Sequence, residues 1–519
     1  MFRLADYALV IVILALLRAY LVRRRNPSGL PLPPGPKPLP IIGNIFDIPK
    51  RASWETYAQW GQQYGGIMSL KVLGQTIVVL NSHEVARDLL EKRGTIYSDR
   101  PALPSLEMMN LNFNLTIKPY GSYWRTGRSM ADHSLRQSAS LTYRPMLIRE
   151  ARRFLGKLVR GTDDVVVSSR QLTAAVIMSL TYGYEVKEPK DHFVDLAEDV
   201  VERAVAAMLP GATVINTFPA CKSLKYLSAW LPGMSFKREA IRKWQQVQET
   251  VDAPFEFTKG EIKNGTARPS MIHECFESFS NTSLTEREET ILKEVAATSY
   301  IAGIDTTTST IAGFFVALAL YPDVQKHAQD ELDATVGRDR LPDFQDRHQL
   351  PYVEAICQEL RRWRLVAPFA LPHATSKDDV YEGYFIPKGS QVLANCWAML
   401  HDPAVYPEPE VFRPDRFLAS DGTFIEDPLV RAAFGFGRRL CPGRFLANDT
   451  LWAVVVSVLS VLTVEKAKDI EGKEIPVSDV FTDHALICHP TPFKCSIIPR
   501  DVRSEQLIIE TSTNPMEEL

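Results

Sequence analysis

The residues with the clearest chemical potential lie in one short run, Phe434-Gly-Phe-Gly-Arg-Arg-Leu-Cys-Pro-Gly443. Cys441 has glycines on both sides, and Arg439 precedes it by two positions. A thiolate that faces a large planar group needs close backbone approach, which glycine permits. It also needs backbone N–H groups aimed at its sulfur, while an arginine can pair with a carboxylate of that group. The run therefore predicts a thiolate ligand site, and a glycine-rich turn around a buried structural cysteine is the alternative.

The spacing within this run follows the pattern Phe-x-x-Gly-x-Arg-x-Cys-x-Gly, whose fixed positions are Phe434, Gly437, Arg439, Cys441 and Gly443. It resembles the haem-binding loop of the cytochrome P450 family, whose members are haem-thiolate monooxygenases. The resemblance implies that haem b binds here and that Cys441 is the proximal ligand of its iron. The other four fixed positions are then haem-binding residues.

A second motif, Ala302-Gly-Ile-Asp-Thr-Thr307, lies inside an apolar segment that predicts one long helix over 288–320. Glycine inside a helix costs about 1 kcal/mol relative to alanine, and such local inconsistencies often mark function. A buried helix with a polar seam is the alternative. The resemblance implies that Gly303 leaves room above the iron. It also implies that Asp305 and Thr306 are catalytic, because oxygen activation needs protons delivered by an acid–alcohol pair.

Trp124 and Arg128 are four residues apart and share one face of a predicted helix. An indole N–H and a guanidinium on one face can hold an anionic group, although a stacked pair on an amphipathic helix is the alternative. The resemblance implies that both contact a haem propionate. His373 follows an apolar turn over 366–369 and stands where the family has an Arg or His near a propionate. A purely structural histidine is the alternative there.

Glu359 and Arg362 are three residues apart on another predicted helix. By itself this spacing is typical of surface pairs worth a few tenths of a kcal/mol. A later run, Phe412-Arg-Pro-Asp-Arg-Phe417, supplies Arg416. The resemblance implies a buried structural triad of Glu359, Arg362 and Arg416, which fixes the irregular stretch under the haem and with it the cysteine loop.

The helices and strands predicted around these residues make the chain mainly α with a minor β part, as the cytochrome P450 fold requires. Two short strands are expected around Leu73-Gly-Gln75, and mostly helical segments are expected over 140–275. Residues 100–118 and 402–433 read as irregular. Further elements are predicted as helices over 83–92, 355–364 and 443–462 and as strands near 380–386 and 391–395.

The N-terminus reads as a membrane anchor. Leu4 to Val22 would span about 28 Å as a helix, close to the thickness of a bilayer core. Arg23, Arg24 and Arg25 follow, so the positive-inside rule places the remaining chain in the cytosol. A cleaved signal peptide is the alternative, but the positive charge lies on the wrong side. Like microsomal members of the family, the protein is expected in the endoplasmic reticulum membrane as a single-pass protein.

The composition of the chain is consistent with one large catalytic domain that follows the anchor. The chain has 519 residues, 45% of them hydrophobic, with no long linker or repeat after residue 50. The formal charge of −3 argues against a dedicated nucleic-acid binder, and none of the seven cysteines forms a Cys-x-x-Cys pair. The expected organisation is an anchor and basic stop over 1–25, a proline-rich hinge over 26–45, a haem-thiolate monooxygenase domain over 46–500 and a polar C-terminal tail over 501–519.

The motifs together predict insertion of one oxygen atom of O2 into a small apolar substrate. The segments 89–98, 371–373 and 433–439 resemble those of fungal members that tailor natural products such as terpenoids. Electrons are expected from a separate NADPH-dependent reductase, docked near Arg438. Two other classes stay open: a haem-thiolate enzyme that rearranges peroxides without O2, and a non-catalytic haem sensor.

Family analogy also suggests where the substrate pocket lies. Its candidate residues are in 103–117, 298–302 and 366–370 and around Phe481. The apolar segment 224–234 has three open interpretations, namely a membrane contact, a substrate gate or ordinary helix-end packing.

Overall fold

The computed structural model describes residues 26, 28–161, 164–187, 190–198, 200, 226, 228–231, 235–278, 284–483 and 486–513. The expected anchor over 1–25, and most of the 224–234 segment, lie outside these residues. The chain divides into two compact units. The first contains the residues up to Pro101, Leu371–Asn395 and Phe436–Arg438, and the second contains Ala102–Ala370, Cys396–Gly435 and the residues from Arg439 onward. No linker-like composition marks these crossing points, which is why the sequence predicts a single domain over 46–500.

The first unit is built on a four-stranded sheet and a separate hairpin. The strands are β1 (Ile67–Val72), β2 (Gln75–Leu80), β3 (His373–Ala374), β4 (Asp379–Tyr381), β5 (Tyr384–Ile386) and β6 (Gln391–Ala394). In the sheet, whose strand order is β1-β2-β6-β3, the pair β1–β2 is antiparallel, β6 joins β2 in parallel, and β3 joins β6 antiparallel. The antiparallel hairpin pairs β4 with β5. The helices of this unit are α1 (Ser53–Tyr64), α2 (His83–Ala86), a π-helical stretch (Arg87–Lys92) and α3 (Gly94–Tyr97).

The second unit is mainly helical, and its small β part is a two-stranded antiparallel sheet of β7 (Leu462–Lys466) and β8 (Cys495–Pro499). Its first helices are α4 (Pro104–Met108), α5 (Ser122–Leu135), α6 (Gln137–Ser140), α7 (Arg144–Arg160), α8 (Val165–Tyr182), α9 (Ser235–Asn264) and α10 (Met271–Ser278). They are followed by α11 (Glu286–Leu320), α12 (Pro322–Thr335), α13 (Pro351–Trp363), α14 (Cys396–Leu400), α15 (Arg444–Val461) and α16 (Val502–Thr513). Short 3-10 turns occupy Leu141–Tyr143, Arg347–Gln349, Pro414–Phe417 and Pro428–Phe434, and a further one, Gly437–Arg439, spans the boundary between the units.

The long helix α11 has sequence-encoded ends. A capping box starts it: the Thr285 side chain accepts from the Glu288 backbone N–H at 3.3 Å, and the Glu288 carboxylate accepts from the Thr285 N–H at 3.0 Å. The helix ends at Leu320, ahead of Pro322, because the residue before a proline avoids helical backbone angles. Between these ends most of the helix is buried, so α11 forms the centre of the second unit.

The mainly α architecture with a minor β part is confirmed, as are the hairpin around Leu73-Gly-Gln75 and the helices predicted over 288–320 and 443–462. Other expectations need correction. The strand predicted near 380–386 is the β4–β5 hairpin, because Glu382 and Gly383 adopt left-handed turn angles. The expected polar tail over 501–519 contains α16, whose Leu507 and Ile508 are buried.

Two described helices, α11 and α15, are long and apolar enough to cross a membrane by length and composition. In each, however, 72% of the apolar window is buried inside the protein. Such burial is typical of core helices, and neither helix coincides with the segment expected to be the anchor.

Candidate active site

The cysteine loop is fixed by its own backbone. Cys441 N–H donates to the Phe434 carbonyl at 3.0 Å, which closes the loop. Gly443 is the N-cap of α15 and donates a backbone hydrogen bond to the Cys441 sulfur. Cys441 itself is half-buried. A thiolate there would be held by a hydrogen-bonded turn.

Gly437 satisfies two separate requirements for glycine. Its φ is +56°, in the left-handed region that other residues rarely adopt. A Cβ at this position would also lie 2.1 Å from the Leu90 carbonyl oxygen. Any other residue would therefore displace the loop.

Three arginines of the second unit surround this loop. Arg128, on α5, donates to the Leu440 carbonyl at 2.6 Å. Arg439 donates to the Lys118 carbonyl at 2.7 Å, and its guanidinium lies 4.3 Å from the ring centre of buried Trp124. Arg444 donates to the Cys441 carbonyl at 3.1 Å. The structure thus brings Trp124, Arg128 and Arg439 together beside Cys441, and it adds Arg444, which the sequence reasoning missed.

Opposing effects act on the sulfur, and the effect of burial is the largest. Burial raises the pKa of the Cys441 thiol above its usual value. The Gly443 N–H and the positive charges of Arg128 and Arg444 act in the opposite direction, because they stabilise the thiolate. A bound metal ion would complete this stabilisation, since a coordinating thiol is deprotonated outright.

One face of α11 is open although the helix is central. Ala302 is exposed and Thr306 and Thr310 are half-buried, whereas Ile301 and Ile304 are buried. The spacing of four places Ala302, Thr306 and Thr310 on the same face. The Thr306 hydroxyl donates to the Ala302 carbonyl at 2.8 Å. An alcohol-bearing helix face that borders unfilled space is suited to a bulky ligand.

Asp305 lies on a different face of α11 and is buried. Its Oδ2 is 3.2 Å from His489 Nε2, and its Oδ1 is 3.8 Å from Arg170 Nη2. Neither partner was expected from the sequence. Gly303, which was expected to leave room above the iron, packs against α8: a Cβ there would lie 3.0 Å from Ile177 Cδ1. Its missing side chain therefore permits close helix packing.

Glu359, Arg362 and Arg416 meet in the interior of the second unit. Arg362 donates to both Glu359 oxygens, at 2.6 and 2.8 Å, and Arg416 donates to Glu359 Oε1 at 3.1 Å. The side chains of Glu359 and Arg362 are 0% exposed and that of Arg416 is 7% exposed. Both arginines also donate to carbonyls within 400–411. The cluster therefore ties α13 to the irregular stretch that leads to the cysteine loop.

His373 belongs to the first unit, where it lies buried on β3. Its Nδ1 is 2.7 Å from the Tyr97 carbonyl oxygen, which orients the ring. Its proposed contact with a propionate remains a prediction.

The donor set fits haem better than a bare metal ion. No three His, Cys, Asp or Glu side chains of the described residues are placed to hold an ion together. A single half-buried cysteine with cationic and aromatic neighbours is instead suited to iron that arrives inside a macrocycle. Arg128, Arg439 and Trp124 would receive the carboxylates of that macrocycle, and the open face of α11 borders space for its ligand.

Comparison with known proteins agrees with this interpretation. Residues 33–496 match the family model described as Cytochrome P450. The chain is 39% identical to Cytochrome P450 monooxygenase 208 of Postia placenta, over 98% of both chains. It is 40% identical to Cytochrome P450 monooxygenase ple1 of Rhodocybe pseudopiperita, over 94% of both chains. It is also 38% identical to Cytochrome P450 monooxygenase COX1 of Coprinopsis cinerea, over 94% of this chain and 95% of the relative.

Proposed function

Because this chain belongs to the cytochrome P450 family and is an oxidoreductase of the monooxygenase type, we propose that it inserts one oxygen atom of O2 into a small apolar molecule of fungal secondary metabolism. The observation that carries the proposal is the half-buried Cys441 in a closed loop with Arg128 and Arg444 beside it. The electrons come from NADPH through a separate reductase. The family relationship supports a redox partner, and Arg438, an exposed cation in the cysteine run, supports docking near the loop.

The proposed roles of the residues follow from the motifs that carry the family resemblance. Haem b, bound through Cys441, supplies the iron that activates oxygen. Trp124, Arg128, Arg439 and His373, with Phe434, Gly437 and Gly443 of the loop, bind and orient the haem. Thr306 holds a proton on the open face of α11, and Asp305 passes protons to it.

An apolar substrate is supported by a cluster of buried side chains. Leu106, Leu111 and Phe113, from the predicted pocket segment 103–117, pack with Ala297 and Ile301 of α11. Ile301 is one residue from exposed Ala302, so the cluster lies next to the open helix face. Burial of an apolar molecule against such a surface yields about 25 cal/mol per Å².

The proposed function is tested by the carbon monoxide difference spectrum of the dithionite-reduced protein in membranes. We expect a strongly red-shifted Soret band, which reports a thiolate ligand on haem iron. A band at the ordinary haem-protein position, or no band, would contradict the proposal. Product formation that requires both NADPH and O2 would then separate a monooxygenase from a peroxide-rearranging enzyme and from a haem sensor.

Replacing Thr306 by alanine should keep the haem but divert electrons to hydrogen peroxide. The substitution removes the hydroxyl from the open face of α11, and proton delivery of this kind contributes about 100-fold or more to rates. We expect most of the NADPH electrons to be recovered as hydrogen peroxide in T306A. Thr290→Ala is the matched control, because Thr290 makes the same hydrogen bond to the carbonyl four residues earlier on an exposed turn of α11. Full coupling of electrons to product in T306A would refute the role of Thr306.

Membrane attachment through residues 4–22 is also proposed, with the monooxygenase body in the cytosol and the hinge over 26–45 between them. Deletion of residues 1–25 should move most of the protein from the membrane pellet to the supernatant, because a helix of about 28 Å is the anchor. The measurement is the fraction of haem-loaded protein in each, at low and high salt. Retention of the truncated protein in the pellet would locate the anchor elsewhere, and exposed Ile41, Phe46 and Trp230 would be the next residues to replace.

A further inference from the structure

Asp305 is held between two basic groups that come from different parts of the second unit. His489, in the segment that precedes β8, places Nε2 at 3.2 Å from Oδ2. Arg170, on α8, places Nη2 at 3.8 Å from Oδ1, and its Nη1 is 4.0 Å from Glu198. The carboxylate is therefore oriented by one partner on each oxygen, and α11 alone does not determine its direction.

The two partners differ in what they can do with a proton. Arginine stays charged at all accessible pH values, so Arg170 acts as a fixed positive charge. It lies in the wall of a cavity of about 510 Å³ that is also lined by Lys157, Lys190 and Glu198. An imidazole changes its charge between pH 5 and 8. The His489 side chain is 28% exposed and that of Asp305 is 12% exposed, so the imidazole has the better access to water.

The backbone that carries His489 is fixed without the help of its side chain. The Ser309 hydroxyl, on α11, donates to the Cys488 carbonyl at 2.5 Å. Cys488 N–H donates to the Val366 carbonyl at 2.7 Å. Thr482 N–H donates to the His489 carbonyl at 2.8 Å, and His489 N–H donates to the Thr482 hydroxyl at 3.0 Å. Four hydrogen bonds thus hold the segment against its neighbours, and the imidazole is not needed as an anchor.

We propose that His489 is a positioning residue that supplies Asp305 with protons from solvent. The inference rests on the proposed function, because it assumes that Asp305 delivers protons for oxygen activation. The imidazolium gives its Nε2 proton to Asp305 Oδ2, which leaves a neutral imidazole and a carboxylic acid. Asp305 passes its proton towards Thr306, and His489 regains a proton from water. Arg170 stays charged throughout and holds the other carboxylate oxygen in place.

Charged and titratable groups face His489 from several segments of the second unit. Arg170 faces the site from α8, with Glu198 behind it, and Asp305 faces it from α11. On its own segment, among the residues that the structure describes, the nearby titratable groups are Cys488 and Asp483. Burial raises the pKa of Cys488 to about 12, so that thiol stays neutral. Among these described groups, the imidazole is the one that can take a proton from water and donate it to Asp305.

The test measures the share of NADPH electrons that ends as hydrogen peroxide, in membranes that contain the full chain and its reductase, from pH 6 to pH 8.5. Wild-type protein should release an increasing share as the pH rises, because fewer protons are available from solvent. His489→Gln keeps an N–H donor but cannot ionise, so it should release at least double the wild-type share at pH 6 and show no pH trend. His192→Gln is the matched control, because His192 forms an exposed pair with Glu249 at 3.1 Å. A wild-type pH profile in His489→Gln would overturn the proposal.

A second measurement does not depend on turnover. Thermal unfolding of the wild type, His489→Gln, Asp305→Asn and the double variant forms a double-mutant cycle. The coupling between the two side chains should be larger at pH 6 than at pH 8.5, because a proton on the imidazole strengthens its attraction to the carboxylate. Equal coupling at both pH values would indicate a merely structural contact and would overturn the proposal.

The outcomes also separate this inference from the proposed function. A wild-type protein without the red-shifted carbon monoxide band, or without NADPH-dependent oxygen uptake, would overturn both. A wild-type protein with both properties, combined with an unchanged pH profile in His489→Gln, would overturn the role of His489 alone.

Discussion

Replacing Cys441 by alanine is expected to reduce NADPH-dependent oxidation to the background rate and to remove the red-shifted carbon monoxide band. The reason is chemical, because the thiolate supplies the electron density that favours cleavage of the O–O bond, and alanine offers no ligand. The loop should keep its shape, since Cys441 N–H still closes it through the Phe434 carbonyl and Gly437 still fits against Leu90. Expression of the variant in membranes at the wild-type level therefore separates loss of chemistry from loss of fold.

The matched control for this prediction is Cys495→Ala. Cys495 is also half-buried, but it lies on β8. We expect it to retain the band and the activity. Survival of the red-shifted band in C441A would assign the iron ligand to another residue and would contradict the central role of the loop.

Replacing Glu359 by alanine is expected to yield little haem-loaded protein. Glu359 accepts hydrogen bonds from Arg362, Arg416 and the Arg413 N–H, and its side chain is 0% exposed. Removing one partner of a buried ion pair costs about 3–5 kcal/mol. That is a large part of the roughly 5–15 kcal/mol by which folded proteins are stable. The irregular stretch that leads to the cysteine loop would lose the carboxylate that accepts from Arg416 and from the Arg413 N–H, and with it part of its attachment to α13.

The measurement is the ratio of haem absorbance to total protein after gentle purification, together with the midpoint of thermal unfolding. Asp330→Ala is a suitable control, since Asp330 pairs with Lys326 on exposed turns of α12, and exposed pairs contribute only about 0–1 kcal/mol. Its haem content should match that of the wild type. Normal haem content in E359A would show that the buried cluster is dispensable for the cysteine loop.

Local chemistry made much of the site predictable from the sequence. The run over 434–443 contains Cys441, the glycines and Arg439 within ten residues, so the spacing of these residues alone predicts a thiolate ligand site. Glu359 and Arg362 are also close in sequence and lie on one helix face. In both cases the grouped residues are neighbours in sequence or one helical turn apart, and periodicity is enough to relate them.

Contacts between distant segments were not predictable in this way. The stacking of Arg439 on Trp124 and the pairing of Asp305 with His489 and Arg170 join parts of the chain that share no local pattern. The short strand β3 and the pairing of β7 with β8 depend on their partners rather than on propensity, which is a weak guide for strands. The helix α16 lies after the region matched by the family model. Its sequence is mostly polar, and only a few of its side chains, such as Leu507 and Ile508, are buried.

The parallel pairing of β2 with β6 has a consequence for synthesis of the protein. Asn395, directly after β6, donates to Asn81, directly after β2, across 314 positions of the chain. At a synthesis rate of about 5–20 residues per second, β6 is made about 15–60 s after the β1–β2 hairpin. During that interval β2 presents an unpaired apolar edge, which is prone to aggregation and to capture by chaperones. Cys441 emerges later still, so the nascent chain acquires its iron ligand only after the first sheet has become able to close.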